Sequence, residues 1–116
     1  RVDKIALFAF NGDPMCFIHV LLNALDFSEK QHEVKLVIEG SATKLVAEMD
    51  RSDHPLHALY EKAKRRVLLA GVCRACAQKT GSLEAARAQN LHLLEDMSGH
   101  PSMSRFVEQG YRIITF

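Results

Sequence analysis

"IALFAFNGDPMCFIHVLLNALDF", residues 5–27, decides the fold of this chain. Ile5 to Phe10 is a near-continuous apolar run, the pattern of a strand covered on both faces rather than one facing water. It breaks at Asn11-Gly12-Asp13-Pro14, where Asp13 can cap a helix and Pro14 fits the first helical turn. The helix that follows is apolar over most of its circumference. A strand that feeds a helix through a short turn is the opening half of a β–α unit, the way parallel strands are joined.

The same alternation repeats downstream. "VKLVI", residues 34–38, is a second strand, and Glu39-Gly40-Ser41 turns it into a helix through "ATKLVAEMD", residues 42–50. "HPLHALYEKAKRRV", residues 54–67, places Leu56, Leu59, Tyr60, Ala63 and Val67 on one helical stripe. Val67 to Val72 reads as a third strand whose start overlaps the helix end. Cys73 to Lys79 begins a helix that Gly81 ends, and Ser82 can cap "LEAARAQN", residues 83–90. Leu91 to Leu94 is a brief fourth strand and Asp96 to Pro101 a loop. "SMSRFVEQ", residues 102–109, is a helix stopped by Gly110, and "YRIITF", residues 111–116, is a last strand. The expectation is one α/β domain over residues 1–116: a three-layer α/β/α sandwich around a mostly parallel five-stranded sheet.

Composition excludes several classes. Charged residues make up 25% and hydrophobic residues 47%, which is too apolar for a disordered chain. A net charge of +1 provides no field for nucleic acid or an acidic membrane. The one basic run, Lys62-Ala63-Lys64-Arg65-Arg66, falls at a helix end, where cations suit the dipole. No apolar run approaches the roughly 20 residues that span a bilayer. The chain opens Arg1-Val2-Asp3-Lys4 without a signal-peptide pattern, which reads as a trimmed chain. Three cysteines, an odd count, argue against a secreted disulfide scaffold, so a reducing cytoplasm is expected.

In open α/β sheets, sites form beyond the carboxyl ends of the strands. Here those ends are Asn11, Gly12 and Asp13; Glu39 and Gly40; Cys73; and Asp96 with Gly99 and His100. Cys73-Arg74-Ala75-Cys76 sets two thiols three residues apart at that edge, the first where a helix begins. Free amides and the dipole there favour a thiolate, so Cys73 is expected to be the lower-pKa thiol, with Arg74 and Lys79 adding positive charge. The competing reading makes both cysteines small apolar fillers at a strand–helix junction. Structural zinc usually needs a second cysteine pair or two finger-spaced histidines, and neither follows. A composite site from Cys73, Cys76, Cys16, His19 and His100 would have to be assembled by the fold. The aromatic and proline company of a thioredoxin-type redox pair is missing.

Cys16, His19, Asn23 and Asp26 share one stripe of the first helix. That stripe is either a solvent or subunit face, or it sends Cys16 and His19 into the cleft of Cys73, with His19 as a proton shuttle. A carboxylate at Glu39, closing an apolar strand, must be solvated or must bond to something. Gly99 beside His100-Pro101 suggests a close backbone approach. His32, His54, His57 and His92 read as surface residues.

"KIALFAFNGDP", "VKLVIEGSA", "LAGVCRAC" and "SGHPSM" with "GYRIITF" together resemble the DsrE/DsrF-like family of small α/β proteins, which includes sulfur-relay subunits, over nearly the whole chain. The resemblance is to its stand-alone branch. It implies a DsrE-like domain in which Cys73 accepts sulfane sulfur as a persulfide and hands it to a partner, a sulfurtransferase-like carrier role. Cys76, without a counterpart in the relay subunits, resolves that persulfide or binds metal. On this reading Cys73, Cys76, His100 and His19 carry the chemistry, while Asn11, Gly12, Asp13, Cys16, Glu39 and Gly99 line the substrate. No cofactor is expected, with zinc or iron at the Cys/His cluster as the alternative: a metal- or small-ligand-binding module. The expected partners are sulfur donor and acceptor proteins or small sulfane-sulfur compounds, with no nucleic acid and no membrane span, in a homotrimer or homohexamer.

Overall fold

A computed structural model describes residues 1–116. In chain order it contains β1 (Lys4–Ala9), α1 (Pro14–Glu29), β2 (Glu33–Ile38), a 3-10 turn (Gly40–Lys44) that runs into α2 (Leu45–Met49), α3 (His57–Arg65) and β3 (Leu69–Cys73). Then come α4 (Arg74–Thr80), α5 (Leu83–Ala88), β4 (Leu93–Leu94), α6 (Met103–Glu108) and β5 (Arg112–Thr115). The strands form one sheet in the order β4-β3-β2-β1-β5, and every neighbouring pair is parallel. The sheet is therefore wholly, rather than mostly, parallel.

Strand order explains the layers. From β1 to β4 the chain steps steadily toward one edge, and α1 through α5 all pack on one face. To place β5 beside β1, the chain crosses back over the sheet, and α6 covers the other face. The first face carries the large core, with Leu7, Phe17, Leu21, Leu36, Ile38, Leu45, Met49 and Tyr60 almost wholly buried. Each such side chain contributes about 1.5–3 kcal/mol of burial. The second core is small: Ala6, Phe8, Val37 and Tyr111 under Met103 and Phe106 of α6. There Phe8 and Phe106 meet edge to face at 5.3 Å, and Phe106 meets Tyr111 at 5.9 Å. Alternate residues of β1 supply the two cores, which is why the run reads as continuously apolar.

Several element limits differ from the sequence expectation. Asp13 and Pro14 start α1 as anticipated, with the Asp13 carboxylate accepting from Met15 N–H at 2.9 Å. The segment 42–50, by contrast, begins as a 3-10 turn, and β4 is only two residues long. Val67 belongs neither to the α3 stripe nor to β3. It is 83% exposed at φ 58°, where Leu68 N–H reaches back to the Ala63 carbonyl and closes the end of α3. That bonding needs a left-handed residue just past the helix, and Val67 holds the position although it is β-branched. Leu56, Tyr60 and Ala63 keep the stripe buried. The basic run at the end of α3 is paired: Lys62 and Arg66 face Glu29, and Lys64 faces Glu61 and Asp50. No helix is long and apolar enough to cross a membrane.

Candidate functional site

The carboxyl ends of β1, β2 and β3 meet the loop between β4 and α6. Cys73 is the last residue of β3 and the N-cap of α4, and its sulfur accepts from Cys76 N–H at 3.4 Å. Cys76 lies one turn into α4, so its thiol stands beside that of Cys73. From the opposing loop, His100 places Nδ1 3.1 Å from Cys73 Sγ and 3.7 Å from Cys76 Sγ. One coordinating atom from each of the three residues falls within a 4.8 Å span. None of the cysteines is paired in a disulfide.

The backbone holds the imidazole in place. Met97 and His100 exchange two main-chain hydrogen bonds, at 2.7 and 3.0 Å, which close the loop on itself. Ala75 N–H then donates to the Gly99 carbonyl at 2.9 Å, tying the loop to the first turn of α4. Gly99 sits at φ +90°, and a methyl group built there would lie 3.2 Å from the Ala75 side chain. The close approach expected at Gly99 is therefore to α4 itself. Gly99→Ala should cost about 1–3 kcal/mol from left-handed strain alone, read as a lower urea midpoint.

Burial overturns the low pKa expected of Cys73. Cys73 is fully buried, and that burial pushes its thiol up to about 12, with the neighbouring Cys76 and the charge of Glu39 acting in the same direction. The hydrogen bond from Cys76 N–H favours the thiolate but is outweighed, because α4 has only seven residues and the sulfur has lost its water. An accessible, low-pKa Cys73 is thus corrected: at neutral pH it is a sheltered thiol donating toward Nδ1 of His100 or the Gly99 carbonyl. Cys76, half-buried, is the thiol of the pair that solvent reaches. Arg74 contributes little to either, being paired with Glu95 at 3.6 Å.

Glu39 closes β2 at 7% exposure with no hydrogen-bond partner on its carboxyl, and burial lifts its pKa to about 7. It lines an open cleft of about 340 Å³ with Phe10 and with Met97, Pro101, Ser102, Met103 and Ser104, which flank His100 in the chain. Phe10, Met97 and Met103 were not among the expected site residues. Their signal was present in the sequence only as position, at a strand end and either side of the Gly99-His100 pair.

Other expected residues lie elsewhere. Cys16 and His19 line a separate cleft with Asn11, Asn23 and Phe116, where β1 and β5 adjoin, so they do not join Cys73. The imidazole that stands beside the two thiols is that of His100, not that of His19. Asn11 and Asp13 serve the turn, the former accepting from Asp13 N–H at 2.8 Å and the latter capping α1. Gly12 packs on the 3-10 turn, its N–H donating to Ser41 Oγ at 3.0 Å. Asp96 caps the chain at Ser102 N–H and pairs with Arg105, which holds its carboxyl below the usual range.

Fold and site together define a small parallel α/β protein with a thiol–thiol–imidazole cluster at the carboxyl edge of its sheet. The model of the DsrE/DsrF-like family matches residues 4–116, and the chain belongs to that family. An uncharacterized protein of Methanocaldococcus jannaschii is 36% identical over 97 residues, which cover 84% of this chain and 77% of the relative. Two uncharacterized proteins of Archaeoglobus fulgidus match shorter stretches. One is 48% identical over 40 residues, or 34% of this chain and 66% of its own length. The other is 39% identical over 36 residues, or 31% of this chain and 97% of its own. No solved structure matches the chain.

Proposed function

We propose that this protein is a sulfur carrier that takes sulfane sulfur onto Cys76, with Cys73 as the resolving thiol and His100 as the proton acceptor. The observation that carries the reading is one imidazole nitrogen shared by a half-buried and a buried thiol, at 3.7 and 3.1 Å. Family membership adds weight, because sulfur-relay subunits belong to the same family as this chain. The persulfide that the resemblance assigns to Cys73 moves to Cys76 on grounds of access, since a buried thiol near 12 is a poor nucleophile at neutral pH.

Uptake begins when Nδ1 of His100 accepts the Cys76 proton. The thiolate attacks the outer sulfur of a donor persulfide, R–S–SH. The sulfur–sulfur bond of the donor breaks, R–S⁻ leaves, and it takes the proton back from the imidazolium. Cys76 then carries –S–SH. An acceptor thiolate removes the outer sulfur in the same way and restores the Cys76 thiol. Without an acceptor, Cys73, its proton drawn to Nδ1 of His100 3.1 Å away, attacks the inner sulfur of the Cys76 persulfide within the site. Hydrosulfide leaves with that proton, and the Cys73–Cys76 disulfide that remains is reduced by a small-molecule or protein dithiol. Thiols that must stay reduced suit a cytoplasmic setting. The implied homotrimer or homohexamer is tested by light scattering of the eluted protein.

Intact mass after incubation of the reduced protein with polysulfide tests the proposal. One added sulfur is expected on the wild type and on Cys16→Ser, and none on Cys76→Ser. In Cys73→Ser the adduct should persist several-fold longer, because nothing within the chain displaces hydrosulfide. Sulfur retained in Cys76→Ser and lost in Cys73→Ser would place the persulfide on Cys73 instead. Loading of none of these proteins would end the carrier reading.

A further inference from the structure

We propose that Cys73, Cys76 and His100 form a mononuclear zinc site, two thiolates and one imidazole, with the fourth position open to solvent. The donor set is the first ground. Two sulfurs and an aromatic nitrogen suit a borderline-soft, four-coordinate cation, whereas calcium and magnesium require oxygen ligands. Three protein ligands are also the number at which zinc retains a position for an exogenous ligand.

Geometry is the second ground. With zinc–sulfur bonds of about 2.3 Å and a zinc–nitrogen bond of about 2.0–2.1 Å, tetrahedral angles set sulfur–nitrogen separations near 3.6 Å. The two observed separations are 3.1 and 3.7 Å, within about half an ångström of that requirement. All three ligating atoms lie within 4.8 Å of one another, on backbone that is already fixed. Cys73 is held as a strand end and helix cap. Cys76 is held by α4, and His100 by the Met97–His100 and Ala75–Gly99 hydrogen bonds. A site whose ligands are pre-placed loses little conformational entropy on binding.

Access is the third ground. Cys73 forms the sealed floor, while Cys76 and His100 are half-buried and leave the outer side of the cluster toward solvent. A cation enters from that side, and each cysteine releases one proton as it binds. The position left open admits water, hydrosulfide or a thiolate. Zinc and sulfane sulfur would then compete for Cys76. The metal site itself does not depend on the carrier role, but this competition does.

The experiment is titration of the reduced protein with cobalt(II) and then zinc(II), read by absorption. Expected are one equivalent of cobalt, sulfur-to-cobalt charge-transfer bands with the intense visible bands of tetrahedral coordination, and displacement of the colour by one equivalent of zinc. Cys76→Ser and His100→Ala should each weaken binding on the order of 100-fold or more, because loss even of an outer partner costs 10–100-fold. Cys16→Ser should bind as the wild type, and circular dichroism confirms that every variant is folded. No tetrahedral cobalt spectrum, or one unchanged in both Cys76→Ser and His100→Ala, overturns the site. Zinc that binds to a protein unable to take up sulfur upholds the site and removes only the carrier role.

Discussion

Replacing Glu39 with glutamine is expected to stabilise the protein above neutral pH by up to about 3 kcal/mol and to flatten its stability across the acid range. Glu39 ends an apolar strand at 7% exposure without a hydrogen-bond partner, and burial raises its pKa from 4.5 to about 7. In the unfolded chain the carboxyl ionises above about 4.5, while in the folded protein it keeps its proton up to about 7. Between these values the folded state holds the extra proton, so this group makes stability fall as pH rises and level off above about 7. A shift of this size corresponds to at most about 3 kcal/mol at about 1.4 kcal/mol per unit, and water in the open cleft beside the carboxyl screens it below that figure. Glutamine has the same shape and no charge to desolvate. Urea denaturation of both proteins at about pH 5 and about pH 8 measures the difference directly. Curves that remain parallel at both pH values would show that Glu39 ionises freely in the folded protein.

His100→Ala is the second large effect, and it acts on chemistry. The imidazole is the only base within 4 Å of both thiols, with Nδ1 at 3.1 Å from Cys73 and 3.7 Å from Cys76. General acid–base assistance of this kind is worth about 10²–10⁴-fold in rate. On the carrier reading, sulfur uptake by Cys76 should slow by that factor near neutral pH. It should recover as pH rises and hydroxide replaces the missing base. A purely structural role for His100 predicts a deficit that does not change with pH. Stopped-flow loading over a pH series separates the two. His100→Gln, which keeps a polar group in the loop but no base, should behave like alanine in rate and like the wild type in stability.

Both predictions rest on residues that the sequence placed unequally. Glu39 was legible, because a carboxylate closing "VKLVI" must be solvated or bond to something, and the structure gives it no protein partner but an open cleft. The fold was legible for a related reason. Period and punctuation are local: an apolar run, a capping Asp13, a Pro14 and a following apolar helix all act within a few residues. Element limits slipped where tertiary bonding overrode local preference, as at Val67, a β-branched residue held left-handed by the closing bonds of α3.

The site was less legible, because it is assembled across distance. The Cys73–Cys76 spacing on one helix turn was visible in the sequence. That His100, rather than His19, completes the cluster depended on how the loop after β4 folds onto α4 through Ala75 and Gly99. Cys16 and His19 share a helix stripe that faces the β1–β5 side, and the strand order that puts them there has no local signal.

Taken alone, the sequence determined a parallel α/β domain with two thiols at the carboxyl edge of its sheet, because strand, turn and cap chemistry depend on neighbours along the chain. Only the tertiary structure decided which thiol is reachable. The helix start favours a thiolate at Cys73, but packing strips that sulfur of water, and desolvation outweighs the short helix. Burial is a property of everything that folds around an atom, so Cys76 became the reactive candidate only once the layers had closed.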